Sequence, residues 1–520
     1  MAAYGKRVVP GGGPDWRNLC AHSFGWILSV HAYIGLDLGT SSVKVVALDE
    51  GGRLLAQAGA AYPTRSPRPG WAEQDPADWI RAAQVALRDL MSALPSAAIP
   101  RALGLAGQLP TLALLDDNGH AERPAIVWYD GRASELAALM LRAIGPDEWY
   151  RRSGVVFDAH YLAPMHAWVA AHEPEILRDG YRVCGAKDAL LHALTGVWAT
   201  DPSTASGSGV YAPLAGDWDD ALLSAAGLTR SLLPDLLPSW SVAGPLREGW
   251  GDTGLPAGLP VVVGGADSLA GVLGCGGATP GTMVAVSGTS TAMLASVPEP
   301  LLDPRRRFFL TPHVLPHLWG LEMDLMSTGS AMRWLAEQLG LDGPEALTAL
   351  AARSPMGSRG VVALPYLAGG EQGALWDEDA SGAFLGLSLA HGPADLARAL
   401  LEGVAFEMRR CLLAWEDAGV RIDRVLLSGS GQTLFAQILA DALARPVRLF
   451  DGPSASACGA AVLAGIGAGA WSIEEARALL CREPGSLLIS DSGHSRRYAA
   501  LYGRYDAVSL ALRRYSADIA

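Results

Sequence analysis

The chain has 520 residues, of which 50% are hydrophobic and 18% are charged, and its formal net charge is −13. A chain of this length is too long for one ordinary hydrophobic core, so we expect two domains with a cleft between them. The net negative charge argues against non-specific binding to nucleic acid or to an anionic membrane surface.

Residues 1–32 are predicted to be a disordered N-terminal extension, since they include a Pro-Gly-Gly-Gly-Pro run. An apolar stretch at residues 24–29 follows basic residues, as in a signal peptide, but it continues directly into the first predicted strand. No apolar run reaches the roughly 18–20 residues of a membrane-spanning helix. The six cysteines are scattered without a CxxC pair. This argues against structural disulfides or a zinc site and favours reduced thiols in the cytoplasm.

The first predicted element is a β-hairpin whose tip suits a phosphate group. In YIGLDLGTSSVK, residues 33–36 predict a strand, and residues 43–48 predict the returning strand. Gly39 lets backbone N–H groups approach a phosphate, the Thr-Ser-Ser run after it supplies hydroxyl donors, and Asp37 can hold Mg²⁺ through water. Lys44 is expected to be a solvated strand residue. Taken alone, the segment is equally well explained as an ordinary hairpin with a polar turn.

Between this hairpin and residue 228 the sequence predicts alternating helices and strands. Helices are predicted over residues 79–94 and 134–143, and short strands over residues 102–105 and 111–115. Residues 151–228 carry a mostly helical pattern, interrupted by the turn and helix-cap signal TDPS. Such alternation indicates βα units and therefore an α/β fold.

Asp267 follows a wholly apolar strand predicted at residues 259–263. The sequence Gly-Gly-Ala-Asp places its carboxylate at a strand C-terminus, where the ligand crevices of α/β sheets open. A helix N-terminus follows at once and is expected to keep the carboxylate ionised. A carboxylate in such a place could take the proton from an alcohol that attacks a phosphoryl group, or it could simply cap the helix. With the first phosphate-type hairpin before it in the chain and a second one after it, at residues 282–297, we favour the general base.

A second hairpin repeats the design half a chain later. In TMVAVSGTST an apolar strand leads into the turn Ser287-Gly288-Thr289-Ser290, and an apolar strand follows over residues 292–297. Two such hairpins predict a duplicated α/β unit that holds a nucleotide between its copies. This arrangement resembles the superfamily of sugar kinases, actin and heat-shock ATPases. No GxxxxGK[ST] occurs, and no GxGxxG opens a helix after a strand, so the P-loop is excluded and a dinucleotide site is weakly supported.

The remaining predicted elements are a long amphipathic helix at residues 394–415, a buried strand at 424–427 and a helix at 434–443. They continue the α/β alternation.

Together the motifs resemble those of the FGGY carbohydrate kinases, and among them the xylulokinases, over about residues 33–505. The motifs are DLGTSSVK (37–44), GWAEQDP (70–76), AGQ (106–108), WYDGR (128–132), HEPEIL (172–177), GGADSLAG (264–271), SGTS (287–290), STGSAMRWL (327–335), LPYLAGGE (364–371), LLSGSGQ (426–432), ILAD (438–441) and GPSASACGAA (452–461).

The resemblance implies two ribonuclease-H-like domains of the actin and sugar-kinase superfamily around a nucleotide cleft. Residues 33–277 would be the N-terminal, sugar-binding domain, residues 278–505 the C-terminal, nucleotide-binding domain, and residues 506–520 a tail. The implied activity is the ATP- and Mg²⁺-dependent phosphorylation of a sugar hydroxyl, with a pentulose such as D-xylulose as the first candidate.

The resemblance also implies roles for individual residues. Asp267 would be the general base, and Asp37 and Asp267 would position Mg²⁺. The implied nucleotide contacts are Thr40, Ser41, Ser42, Gly288, Thr289, Ser290, Gly329, Arg333, Ser428, Gly429 and Gln432. The implied sugar contacts are Gln108, Trp128, Asp130, Arg132, Asp267 and Ser268. For Trp128, a place in the hydrophobic core is an equally good interpretation.

Three segments depart from the xylulokinase pattern at positions that are expected to contact the sugar or to take part in closure of the cleft. Leu109-Pro110 stands where Met-His is usual, Ser268 stands where Asn is usual, and Gln372-Gly373-Ala374 replaces Arg-Thr-Pro. The substrate either lacks the hydroxyl that the missing His would bind, or Ser268 or His166 supplies the bond. Another ketose, a polyol or an aldonate therefore stays open as substrate.

Other classes of function have less support in the sequence. A non-catalytic nucleotide-binding relative should have lost Asp267 or Asp37, and a repressor should carry a helix-turn-helix and a basic patch, which residues 1–32 do not offer. An actin-like filament former stays open. We expect a sugar or polyol and ATP as partners, with neither nucleic acid nor membrane, and a homodimer is left open.

Overall fold

The computed structural model describes residues 29–429, 433–480 and 485–517. The strands of the N-terminal half are β1 (Val30–Leu38), β2 (Ser42–Leu48), β3 (Leu54–Ala61), β4 (Glu73–Gln74), β5 (Ala98–Gly107), β6 (Thr111–Leu115), β7 (Ala125–Val127), β8 (Arg182–Cys184), β9 (Ala199–Thr200), β10 (Tyr211–Ala212), β11 (Asp217–Trp218), β12 (Asp235–Leu236), β13 (Val242–Pro245) and β14 (Pro260–Ala266). Its helices are α1 (Pro76–Ala93), α2 (Ser134–Ile144), α3 (Pro146–Ser153), α4 (Leu162–His172), α5 (Ala186–Thr195), α6 (Pro202–Ser206), α7 (Asp220–Ala226) and α8 (Asp267–Gly274).

The C-terminal half continues the alternation. Its strands are β15 (Thr282–Ser287), β16 (Thr291–Val297), β17 (Phe309–Pro312), β18 (Trp319–Leu325), β19 (Val362–Leu364), β20 (Ala383–Leu385), β21 (Arg424–Ser428), β22 (Val447–Phe450) and β23 (Leu487–Leu488). Its helices are α9 (Gly329–Gln338), α10 (Gly343–Ala351), α11 (Pro393–Asp417), α12 (Thr433–Leu443), α13 (Ala455–Gly467), α14 (Ile473–Leu480) and α15 (Ser492–Ala517).

Each half contains one large mixed sheet, and the two sheets share a plan. The N-terminal sheet has the order β13-β14-β5-β1-β2-β3, with β1 antiparallel to β2 and parallel to β5. The C-terminal sheet has the order β17-β18-β16-β15-β21-β22-β23, with β15 antiparallel to β16 and parallel to β21. The strands β18-β16-β15-β21-β22 thus repeat β3-β2-β1-β5-β14 in order and direction. This confirms the predicted duplication.

The central strands are buried on both faces because their sequences are almost continuously apolar. Residues 32–38 of β1 are all buried, as are the first four residues of β15. Helix α13 of the C-terminal half packs against β1 and β5 of the N-terminal sheet and against α8. The two halves are therefore joined by helices that lie side by side between the sheets.

The predicted elements differ from the structure mainly at their ends. The first strand begins at Val30, not at residue 33, so the last residues of the expected N-terminal extension belong to the sheet; residues 1–28 lie outside the described residues. The mostly helical stretch at 151–228 also contains short strands, for example β8 and β10. The domain boundary after residue 277, between α8 and β15, stays a prediction. In the described part of the chain, no helix is both long and apolar enough to cross a membrane.

Candidate active site

Residues of both halves line a cavity of about 450 Å³ between the two sheets. The elements that reach it include the β1–β2 turn, the β14–α8 junction, the β15–β16 turn and the strand β18. The predicted site residues on its lining are Asp37, Thr40, Gln108, Trp128, Asp267, Ser268, Gly288, Thr289 and Ser290. The fold therefore brings together the two hairpin tips and the aspartate that the sequence singles out separately.

Asp267 is the first residue of α8 and directly follows β14. The helix cap is Ala266, and the Asp267 carboxylate accepts the N–H of its neighbour Ser268 at 2.8 Å. Burial, with the charge of Asp37 second, raises the pKa of Asp267 to about 8. Burial thus opposes the effect of the helix N-terminus, which the sequence analysis expects to keep the carboxylate ionised. A pKa near neutrality is where a general base works best.

A buried network holds the strand end that carries Asp267. The Ser203 hydroxyl accepts the N–H of Ala266 at 2.9 Å and donates to the Asp201 carboxylate. Asp201 in turn lies 3.4 Å from the ammonium of Lys187, which is fully buried. The TDPS signal in the sequence thus marks more than a turn, since its aspartate and second hydroxyl brace the residue before Asp267.

Asp37, near the end of strand β1, lines the cavity. It is 4% exposed; one carboxylate oxygen accepts the Ser454 hydroxyl at 3.0 Å, and the other is buried without a hydrogen-bond partner among the described residues. Burial raises the pKa of Asp37, against the opposing effects of Lys44 and Ser454. Ser454 also caps α13, so the GPSASACGAA motif connects that helix to Asp37. Lys44 itself is exposed and lies on the cavity lining.

The two carboxylates suit a magnesium ion that is only partly held by protein. The unpartnered Asp37 oxygen is the kind of hard ligand that Mg²⁺ prefers, and Mg²⁺ usually keeps several waters and binds substrate phosphates. In the described ranges, no cluster of three or more His, Cys, Asp or Glu side chains could hold a metal. Phosphate oxygens and water would therefore have to complete the coordination.

Both hairpin turns present backbone and hydroxyl groups to the cavity. In the first, the N–H of Gly39 donates to the Ser42 carbonyl at 3.2 Å, and the indole of Trp128 donates to the Thr40 hydroxyl at 3.1 Å. In the second, the N–H of Gly288 donates to the Ser290 carbonyl at 2.8 Å. Gly288 and Thr289 are exposed, so this turn is open to a ligand.

The predicted nucleotide contacts that do not line the main cavity divide into three groups. Gly329 and Ser428 line a smaller cavity, of about 50 Å³, directly behind the second hairpin turn. A Cβ at Gly329 would lie 2.0 Å from the Gly288 carbonyl oxygen, so glycine is what allows α9 to begin against this turn. Ser41, Ser42, Arg333 and Gly429 are outside both linings, and Arg333 is exposed on α9. Gln432 lies outside the described residues.

Four of the six predicted sugar contacts reach the main cavity: Asp267 and Ser268, described above, and Gln108 and Trp128. Gln108 is 2% exposed; its amide N–H donates to Gln74 at 2.8 Å, and its amide oxygen has no hydrogen-bond partner among the described residues. Trp128 lies on the cavity wall beside Tyr129 rather than in the core.

Asp130 and Arg132 lie next to the cavity, not in it. The guanidinium of Arg132 pairs with Asp130 at 2.7 Å and with Glu73 at 2.8 Å, and it stacks 3.8 Å from the ring centre of Trp71. Both side chains are fully buried. Because their polar groups are used inside the protein, the prediction that they bind sugar hydroxyls is corrected, and they support the wall instead. His166 is also outside the cavity, where it bonds the Tyr181 hydroxyl at 3.0 Å.

Sequence reasoning missed several cavity residues. They include Tyr129, Asp158, His160, Tyr161, Ser203, Phe309, Thr311, Glu322 and Asp324, whereas Gln372, named above as a departure from the family pattern, does line the cavity. For Glu322 and Asp324 a signal exists, since the strand sequence GLEMDL alternates acidic and apolar residues. The sequence does not indicate which cavity that strand faces.

Models of a known family match most of the chain. Residues 32–274 match the N-terminal domain of the FGGY family of carbohydrate kinases, and residues 283–468 match its C-terminal domain. The xylulose kinase of Escherichia coli (strain K12) is 35% identical over 415 residues, which are 79% of this chain and 84% of that protein. The autoinducer-2 kinase of Klebsiella pneumoniae subsp. pneumoniae is 32% identical over 468 residues, 84% of this chain and 86% of that protein. The crystal structure of a xylulose kinase from Rhodospirillum rubrum matches with a TM-score of 0.85 at 33% identity, covering 93% of this chain and 99% of that chain.

Proposed function

Since the chain belongs to the FGGY family of carbohydrate kinases, we propose that it transfers the terminal phosphoryl group of ATP to a hydroxyl of a pentulose such as D-xylulose, with Asp267 as general base. The observation that carries the proposal is the shared cavity. It brings Asp267, at the end of β14, together with both phosphate-type turns.

The residues of the chain divide the work of an in-line phosphoryl transfer. The Asp267 carboxylate accepts the proton of the attacking hydroxyl, so that the oxygen becomes nucleophilic as the new O–P bond forms, while the bond from the terminal phosphorus to the bridging oxygen breaks and ADP leaves. Backbone N–H groups and hydroxyls of the two turns hold the phosphates, and Gln108 and Trp128 hold the sugar. Mg²⁺, held by Asp37 and Asp267 through water and phosphate, would neutralise the charge that develops on the phosphoryl oxygens.

Leu109 and Pro110 line the cavity, and their side chains cannot form hydrogen bonds with a sugar hydroxyl. This supports a substrate whose hydroxyls are bound differently from those of D-xylulose in the usual xylulokinase pattern. A hydroxyl buried against Leu109 would lose water without gaining a partner, at a cost of about 1–3 kcal/mol. Ser268, at the cavity edge, is a candidate to supply that bond. A related ketose or polyol is therefore the second candidate acceptor.

The test of the general base is Asp267→Asn, which keeps the shape of the side chain and removes the proton acceptor. We expect kcat to fall by about 10²–10⁴-fold, with little change in nucleotide affinity. The measurement is an ATP-coupled assay with pentuloses, polyols and aldonates, combined with nucleotide titration. Asp179→Asn, a change of the same kind at an exposed position, serves as control.

A kcat close to that of the wild type in Asp267→Asn would contradict the assignment. If the wild-type protein binds ATP but phosphorylates no sugar, polyol or aldonate, the non-catalytic alternative takes its place.

A further inference from the structure

One wall of the main cavity carries two carboxylates that form no ion pair with any residue that the structure describes. Strand β18 alternates, so that Met323 and Leu325 are buried in the core, while Glu322 and Asp324 line the cavity. Their register partners across the sheet are apolar, with Phe309 beside Glu322 and Ala292 beside Asp324.

These carboxylates also have few hydrogen bonds. Within the described ranges, Glu322 has one long contact, from the Ser268 hydroxyl at 3.5 Å, and the Asp324 carboxylate has none. Neither forms an ion pair there, and Lys44 is the one lysine or arginine on the cavity lining. Burial, then the charges of Asp324 and Asp267, raise the pKa of Glu322 well above its usual value, and burial raises that of Asp324, so the ionised carboxylates are destabilised until hydrogen-bond donors reach them. Unpaired carboxylates in such a place cost free energy unless a ligand satisfies them.

A second observation points to the same kind of ligand. Gln108 lines the same cavity and is 2% exposed. Its amide N–H donates to Gln74, and its amide oxygen has no hydrogen-bond partner in the described part of the chain. The unpartnered polar groups on the cavity lining that the described residues supply thus include two carboxylates and an amide oxygen, all of which can accept hydrogen bonds. A complementary ligand brings hydrogen-bond donors and carries no negative charge.

We propose that Glu322 and Asp324 are specificity-determining residues that accept hydrogen bonds from hydroxyls of the acceptor substrate, and that they exclude aldonates. This rests on the proposed function and narrows its substrate to a ketose or polyol without a carboxylate. It also offers hydrogen-bond partners in the cavity whose lining has Leu109-Pro110 in place of a polar group.

The test is substrate binding measured by calorimetry without nucleotide, so that it does not depend on turnover. The probes are D-xylulose, D-ribulose, D-arabinitol and D-gluconate. Wild-type protein should bind at least one neutral probe about tenfold or more tightly than D-gluconate. Glu322→Gln combined with Asp324→Asn should weaken that neutral probe about tenfold and narrow or reverse the preference over D-gluconate. Glu337→Gln, at an exposed position of α9, is the matched control.

A thermal melt separates recognition from a structural role. Removing two unpaired charges should leave Tm unchanged or raise it, whereas residues that hold the fold together would lower Tm when neutralised. The proposal is overturned if the double variant binds as the wild type does, if the wild type binds D-gluconate as tightly as every neutral probe, or if it binds no neutral probe. Failure of the proposed function would show instead as binding without phosphorylation.

Discussion

His313 is a single buried side chain that should couple the stability of the protein to pH. It is 5% exposed, its Nδ1 accepts the N–H of Leu315 at 3.2 Å, and its Nε2 is buried without a partner among the described residues. Burial, with the charge of Arg477 second, lowers the pKa of His313 to about 3. In the unfolded chain the pKa of a histidine is about 6.5.

Below about pH 6.5 the unfolded state therefore binds a proton at His313 that the folded state does not bind. The free energy of unfolding thus falls as the pH falls from about 6.5 toward the folded-state pKa of about 3. Between about pH 6.5 and pH 5, His313 should contribute a loss of about 2 kcal/mol in the free energy of unfolding. In His313→Asn, whose amide oxygen can replace Nδ1 as acceptor, this part of the loss should disappear. Denaturant unfolding at both pH values measures it.

The exposed His317, four residues away, provides the control variant His317→Asn. The same acid dependence in His313→Asn and the wild type would show that His313 is protonated in the folded protein.

At the residue scale, the sequence predicts what depends on local chemistry. Asp267 could be identified because a strand end, two glycines and a helix start are contiguous in the chain. Asp130 and Arg132 were misassigned because their partners, Glu73 and Trp71, are remote in sequence. The same charged groups that suit a polyol equally suit a buried ion pair, and only the fold decides between the two.

At the scale of elements, α8 and α13 touch through their backbones. A Cβ at Gly459 would lie 1.9 Å from the Ala270 carbonyl oxygen, and one at Gly274 would lie 1.8 Å from that of Ala455. Backbone atoms cannot move aside as the end of a flexible side chain can. The two helices therefore require glycine where they cross.

We expect Gly459→Ala to lower the free energy of unfolding by about 1–3 kcal/mol, since the added methyl group forces the helices apart. Gly503→Ala is the opposite case. Gly503 is exposed within α15, and apart from the backbone of its own helix turn and its chain neighbours no atom of the described residues lies within 4 Å of its Cβ position. There alanine should stabilise the protein by about 0.5–1 kcal/mol. Chemical denaturation of both variants compares them, and equal effects would contradict the close contact.

Periodicity and turn chemistry predict most of the central strands and long helices, within a few residues at each end. They could not predict that β18 forms a cavity wall. Its place follows from antiparallel pairing with β16 and β17. The hydrophobic periodicity of a strand does not show which other strand it pairs with. For the same reason Glu322 and Asp324 went unnoticed.

At the scale of the whole molecule, two similar sheets face each other across one cavity. Ligands that contact both walls should draw the halves together and exclude water from the reaction. We expect the radius of gyration from small-angle X-ray scattering to decrease when a sugar substrate and a non-hydrolysable ATP analogue are both bound. Each ligand alone serves as control. A constant radius under saturating ligands would contradict closure.

The crossing of α13 onto the opposite sheet has a consequence for cooperativity. Gly35 of β1 and Gly104 of β5 would each bring a Cβ within 2.1 Å of a backbone oxygen of α13, so the N-terminal sheet is covered by a helix that the C-terminal half supplies. Neither half completes its own core. Calorimetry should therefore show one unfolding transition instead of two, and fragments divided after residue 277 should fold only when mixed. Two separate transitions would show that the halves unfold independently. A single transition would mean that the halves can move relative to each other on ligand binding and yet unfold as one cooperative unit.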